Sequence, residues 1–253
     1  MIWIGAAAVC GMMFVLWLLH FPMRNASIVD PGWAAGMAIL GLIYGALGDG
    51  LAPRRYALMA MAAIWGFRLS IYLLLRVLGH PEEGRYVEIR RQWGANIGFK
   101  FLLFFEGQAM LCLLLAIPFY IAAQNQAPRL IALEYLGLAV WLVSFVGESI
   151  ADAQLAAFKR NPANKGKTCR AGLWNYSRHP NYFFEWLVWV AFALFAHHWL
   201  ALISPALMLY FLLRVTGIPA TEEQALRTKG DDYRHYQSTT SMFVPWFRKP
   251  AAL

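Results

Sequence analysis

One stretch of this sequence packs polar side chains onto the threshold of an apolar helix. Ser177-Arg178-His179-Pro180-Asn181-Tyr182 leads directly into a run that also holds Glu185. Pro180 fixes the chain just before the helix begins. The first turn then offers unpaired N–H groups at the positive end of the helix dipole, a setting suited to a phosphate. Asn181 and Glu185 are four apart and project from one face. Upstream, Glu148, Asp152 and Lys159 recur at spacings of four and seven, again on one face. Carboxylates on an apolar helix are costly unless they pair or hydrogen-bond. Two uses stay open for them: neutralising arginines, or binding ribose hydroxyls or an amide. A third face carries Trp65, Arg68, Tyr72 and Arg76 at spacings of three or four. An arginine at mid-membrane costs at least about 2.5–3.5 kcal/mol. Arg76 can snorkel to a surface, but Arg68 lies about two turns deeper. That face fits either an ion pair within a bundle or an anionic ligand.

The elements that must position these residues are membrane spans. Of 253 residues, 60% are hydrophobic and 14% charged, against about 25% charged in a soluble domain. A span needs about 20 mostly apolar residues. Such runs occur near 2–22, 33–48, 56–78, 100–124, 131–157, 182–197 and 199–217, the second and sixth being short. Pro118 and Pro205 fall inside runs and are expected to kink them. The first run has no cation before it and extends to about Phe21, so it reads as a retained span rather than a signal peptide. The expected fold is therefore all-α: one polytopic membrane domain of seven helices. If the seven alternate, one side receives 17 of the 22 Lys and Arg residues and the other receives Arg54, Arg55 and Arg129. The positive-inside rule then puts the N-terminus outside and the C-terminus in the cytoplasm. Basic loops beside an anionic leaflet account for the net charge of +8 without nucleic acid. Cys10, Cys112 and Cys169 are scattered and form no CxxC, so neither a disulfide framework nor a metal site is expected.

Three blocks together resemble a known family: "GLWNYSRHPNYFFEW" at 172–186, "WGFRLSIYLLLRVLGHPEEGRYVEIRRQWG" at 65–94 and "TGIPATEEQALRTKGDDYRHYQSTTSMFVPW" at 216–246. They are similar to the steroid 5α-reductase superfamily, and closest to its branch labelled domain of unknown function 1295, over roughly 27–246. The resemblance implies seven helices with NADPH held in a cavity in the cytoplasmic half of the bundle. It implies that Asn181, Glu185, Asp152 and Arg68 contact the cofactor, Arg68 at a phosphate. Glu148 and Lys159 stand where better-known members carry Asn and Arg. The steroid reductases polarise their substrate with a Glu in the second helix and a Tyr in the third. Here the second run has no such Glu, and Trp65 stands near the place of that Tyr.

On this basis the chain is expected to reduce a carbon–carbon double bond conjugated to a carbonyl in a lipid-soluble, steroid-like substrate, using NADPH. Arg68, Arg76, Lys159, Arg178 and His179 would clamp phosphates, with Tyr182 in the same turn. Glu148, Asp152, Asn181 and Glu185 would orient the ribose or the carboxamide. The acid that meets charge developing on the carbonyl oxygen would be Asp30, Tyr72 or Tyr86. A second reading is a membrane methyltransferase using S-adenosylmethionine, because the isoprenylcysteine and phospholipid methyltransferases share an RHP-x-Y turn and a tail with paired Glu, here Glu222-Glu223. A transporter or scaffold is the third.

Overall fold

Apolar runs long enough to bury their own backbone polar groups in lipid must become helices, and they do. A computed structural model of the chain describes residues 1–215 and 217–248. Among the described residues there is no strand, only an isolated bridge between Ser177 and Ser241. Thr216, the first residue of the third motif block, lies outside the described residues. Six helical segments are long and apolar enough to cross a membrane: Ile2–Met23, Ala26–Leu47, Ala52–Val77, Ile97–Gln124, Ala132–Arg160 and Trp199–Lys229. They mark the chain as an integral membrane protein. The sixth expected run is a shorter apolar helix, Pro180–Ala196, whose 17 residues span about 26 Å.

The chain divides into two compact units. The first comprises Met1–Glu134 with Phe195–Ser204. It contains α1 (Ile2–Met23), α2 (Val29–Leu47), α3 (Ala52–Val77), α4 (Gly84–Trp93), α5 (Ile97–Leu115) and α6 (Ile117–Gln124). The pairing of α2 with α3 relies on small residues. A Cβ on Gly41 would come within 2.2 Å of the Ala62 Cβ, and one on Gly66 within 2.9 Å of the Ala34 carbonyl oxygen. Such small-residue contacts let membrane helices approach closely. Pro118 sits in the first turn of α6, just past the break at Ala116 that separates it from α5. At one end of this unit Arg54 is fully buried and paired with the equally buried Glu134. Its guanidinium also donates to the carbonyl oxygens of Asn125 (2.6 Å), Ala127 (3.2 Å) and Arg129 (3.0 Å). Sequence counting treats Arg54 as an ordinary loop charge. It is instead the centre of a satisfied buried network.

The second unit comprises Tyr135–Leu194 with Pro205–Leu253. It holds most of α7 (Ala132–Arg160), with α8 (Pro180–Ala196), α9 (Ile203–Tyr210), α10 (Ile218–Lys229) and α11 (Asp231–Thr239). Pro205 lies in the first turn of α9, where its missing N–H costs nothing. A π-helical turn, Phe211–Val215, follows α9. Gly147 on α7 leaves room for the Phe184 ring of α8: a Cβ there would lie 2.5 Å from ring carbons. The polar helices α4, α10 and α11 go beyond the apolar runs read from the sequence.

Candidate functional site

The RHPNY turn is held by the chain's own C-terminal tail. Ser177 donates its hydroxyl to the Phe243 carbonyl oxygen (2.8 Å) and accepts from the His179 backbone N–H (3.1 Å). The Arg178 backbone N–H donates to the Ser241 carbonyl oxygen (2.8 Å). Its guanidinium donates to Glu222 Oε1 (2.6 Å) and to the carbonyl oxygens of Gln237 (2.9 Å) and Thr240 (2.8 Å). Glu222 also accepts from Tyr233 (3.3 Å) and Gln237 (2.9 Å). His179 Nε2 lies 3.2 Å from Glu222 Oε1, and its ring stacks on Tyr182 at 5.4 Å and 8°. Burial is the main influence pulling His179 below the ordinary imidazole range; the Arg178 charge adds to it and Glu222 opposes it. The neutral ring facing a carboxylate oxygen must carry its proton on Nε2. Arg178 and His179 thus brace the tail against the turn, and Glu222 is the hub that sequence reasoning noted only as half of a Glu pair. Tyr182 places its hydroxyl 3.2 Å from that of Thr221. Further out, Asp232 accepts from the Thr168 N–H (2.8 Å) and from Arg170 (2.7 Å). Burial works to raise the Asp232 carboxyl, but those hydrogen bonds and the Arg170 charge outweigh it and hold it low.

Within the same unit, the Asn181 amide donates to Asp152 Oδ1 at 3.4 Å. One turn further along α8, Glu185 accepts from Trp189 Nε1 at 3.2 Å. Glu148, Asp152 and Glu185 are all buried, and Lys159 is exposed at the end of α7. A half-buried amide and buried carboxylates on helix faces can hydrogen-bond hydroxyls and a carboxamide, which match both donor and acceptor needs.

In the first unit, Asp30 accepts from the Tyr86 hydroxyl (2.7 Å) on Oδ1 and pairs with Arg85 on Oδ2. Two of the three acid candidates are therefore one hydrogen-bonded pair, and Arg85, which the sequence reading passed over, is its third member. Burial first, and then the Asp30 charge, push the Tyr86 phenol well above its usual value. Tyr72 lies on α3 between Arg68 and Arg76, each guanidinium 5.9 Å from its ring centroid. Arg76 also pairs with Glu83 at 3.1 Å. Among the described residues no group of three or more His, Cys, Asp or Glu could hold a metal ion.

Residues 16–240 match the family described as "Protein of unknown function (DUF1295)". The chain belongs to the DUF1295 family. The DUF1295 match begins earlier and ends sooner than the expected 27–246; it takes in the site residues from Asp30 to Thr240 and stops short of Ser241 and Phe243. The chain is 29% identical over 267 residues to the uncharacterized protein C594.04c of Schizosaccharomyces pombe, covering 91% of this chain and 76% of that protein. A shorter stretch of 46 residues is 41% identical to the probable O-methyltransferase ustE of Ustilaginoidea virens, covering 18% of this chain and 16% of that protein. No solved structure matches.

Proposed function

We propose that this DUF1295 protein is an NADPH-dependent membrane reductase, similar to the steroid 5α-reductase superfamily. It would act on a carbon–carbon double bond conjugated to a carbonyl in a lipid-soluble, steroid-like substrate. The observation that carries this reading is the face of α3 on which two arginines flank one phenol ring. Two guanidinium groups on one face of an apolar span are rare, and here they share one ring while Arg76 also keeps a part-exposed pairing with Glu83. NADPH brings about four negative charges, whereas S-adenosylmethionine is cationic at sulfur, so convergent cations favour the former. In the second unit, Asp152, Asn181 and Glu185 have the donors and acceptors that a ribose and a carboxamide require. Lys159 would add positive charge at the end of α7. Arg178 and His179 act through the turn they brace.

NADPH, when bound, supplies the hydride. The chain's task is to orient the acceptor, exclude water and meet the negative charge that grows on the carbonyl oxygen. Tyr86 would take that last role by turning its single phenolic proton from Asp30 to the carbonyl oxygen. Asp30 and Arg85 fix its position. In this reading α8 is a seventh crossing, with the N-terminus outside and the basic loops in the cytoplasm, where NADPH is available.

The local match to a named O-methyltransferase favours a second reading, methyl transfer from S-adenosylmethionine. Thermal melting of the purified full chain with each compound separates the two. A ligand at about 100 times its Kd stabilises by about 2.7 kcal/mol. NADPH is expected to raise the melting temperature and S-adenosylmethionine to leave it unchanged. Stabilisation by S-adenosylmethionine alone overturns the reductase reading. Arg68→Ala is expected to abolish the NADPH effect while the ligand-free melting temperature stays put.

A further inference from the structure

The exposed face of α7 is grooved. Leu142, Val143, Val146 and Ile150 line a groove of about 600 Å³ walled by Phe184 and ending at Tyr176. The four α7 side chains are 44–62% exposed. The groove exists because Gly147 lets the Phe184 ring lie against the α7 backbone. Its far end closes where Gln154 accepts from the Leu173 N–H at 2.9 Å, beside Gly172 in the left-handed region at φ 56°. From Leu142 to Gln154 the helix rises about 18 Å. One leaflet of a hydrocarbon core is about 15 Å, half of the ~30 Å whole. The groove is thus as long as one leaflet is deep.

Its end is not apolar. The Tyr176 ring meets Phe247 edge-on at 6.3 Å, and Phe247 meets Trp246 at 6.2 Å. The Trp246 backbone N–H donates to the Tyr176 carbonyl oxygen (2.9 Å), which pins the tail in place. Trp246 and Phe247 are 67% and 75% exposed, as befits aromatic rings at a membrane–water boundary. Arg248 follows, exposed. Beyond these rings lies a second cavity of about 420 Å³, lined in part by Arg178, Thr240 and Ser241. The Thr240 hydroxyl is buried there with no hydrogen-bond partner among the described residues. No carboxylate lines either cavity, and Arg178 in the second is already paired with Glu222, which leaves Arg248 as the cation for a ligand.

We propose that the second unit binds one anionic phospholipid, with an acyl chain along the α7 groove and its headgroup phosphate at the Thr240–Arg248 rim. A leaflet-length apolar groove that ends in aromatic rings, with exposed Arg248 next to Phe247 in the chain and the unpaired Thr240 hydroxyl in the adjoining cavity, matches the polarity of such a molecule. The site is independent of the reductase reading.

The test uses the purified full chain, delipidated in a neutral detergent. Phosphatidylglycerol, phosphatidylcholine and inorganic phosphate are added separately, with thermal melting and native mass spectrometry as readouts. Phosphatidylglycerol is expected to be retained one per chain and to raise the melting temperature more than phosphatidylcholine does. Thr240→Val and Arg248→Glu are each expected to weaken apparent phosphatidylglycerol affinity about tenfold, as loss of one charge-assisted contact would. Their response to phosphatidylcholine should not change. Val146→Trp, or Val143→Trp as a second filler, is expected to abolish retention of both lipids without lowering the lipid-free melting temperature. Equal responses to the two lipids overturn the proposal. So does a response reproduced by inorganic phosphate alone, or retention indifferent to both fillers. A dimer that lipid does not displace and that Val146→Trp dissociates would assign the groove to a second copy of the chain instead.

Discussion

Glu222 gathers four donors from two parts of the chain, Arg178 and His179 in the turn and Tyr233 and Gln237 on α11. Arg178 and Glu222 side chains are only 10% and 14% exposed, so removing the charge strands a buried cation. Glu222→Gln is expected to lower stability by about 3 kcal/mol, read as a melting shift in detergent, and Arg178→Met in that background to recover part of it. His179 adds a pH dependence. Its folded pKa lies below the ~6.5 of a free imidazole, so the unfolded chain binds more protons as pH falls past that value. The stability contributed by the neutral ring is complete above about pH 6.5 and lost progressively below it. A melting series from about pH 7.5 to about pH 5 should show a falling midpoint that His179→Gln flattens. The turn itself was legible in the sequence because its residues are contiguous. Glu222 was not, since it lies 44 residues from Arg178 and nothing in linear spacing reports a loop closure. Arg54 and Glu134, 80 residues apart, escaped for the same reason.

Helices were legible where lipid dictates them. Continuous apolar runs must satisfy their backbone internally, so hydropathy located all six long segments. It was blind to α4, α10 and α11, whose sequences are polar and whose support comes from packing and from side-chain pairs such as Arg227–Glu223 and Arg91–Glu88. It also could not foresee how α7 meets α8. That contact depends on one missing side chain: Gly147→Ala would drive a methyl group against the Phe184 ring. The expected cost is about 1–3 kcal/mol of overpacking, measured as a lowered melting temperature, with Phe184→Leu restoring part of it. A contact of this kind leaves no periodic trace in a sequence.

The whole chain carries a net charge of +8, distributed so that the alternating-span pattern puts cations on one side. An impermeant maleimide tests the resulting orientation. Cys112 and Cys169 are buried, and burial pushes the Cys169 thiol up; Cys10 on α1 is half-buried, so the test is run in a Cys10→Ser background. Gln126→Cys is expected to label in intact cells and Lys165→Cys only after the membrane is opened. The reverse pattern would invert the proposed topology.

The strap that joins Ser177 and Arg178 to Ser241 and Phe243 also sets a clock. A ribosome adding about 5–20 residues per second needs roughly 2–9 s to pass from Arg178 to Glu222. It needs roughly 3–13 s to reach Phe243. Throughout that interval Arg178, beside the helix that begins at Pro180, has no Glu222 to pair with. During biogenesis Arg178 is a bare positive charge, the kind of signal that insertion machinery reads for direction. Once the tail arrives it is neutralised and becomes a structural fastening, so one residue passes from a bare charge in the nascent chain to the closure of the finished one.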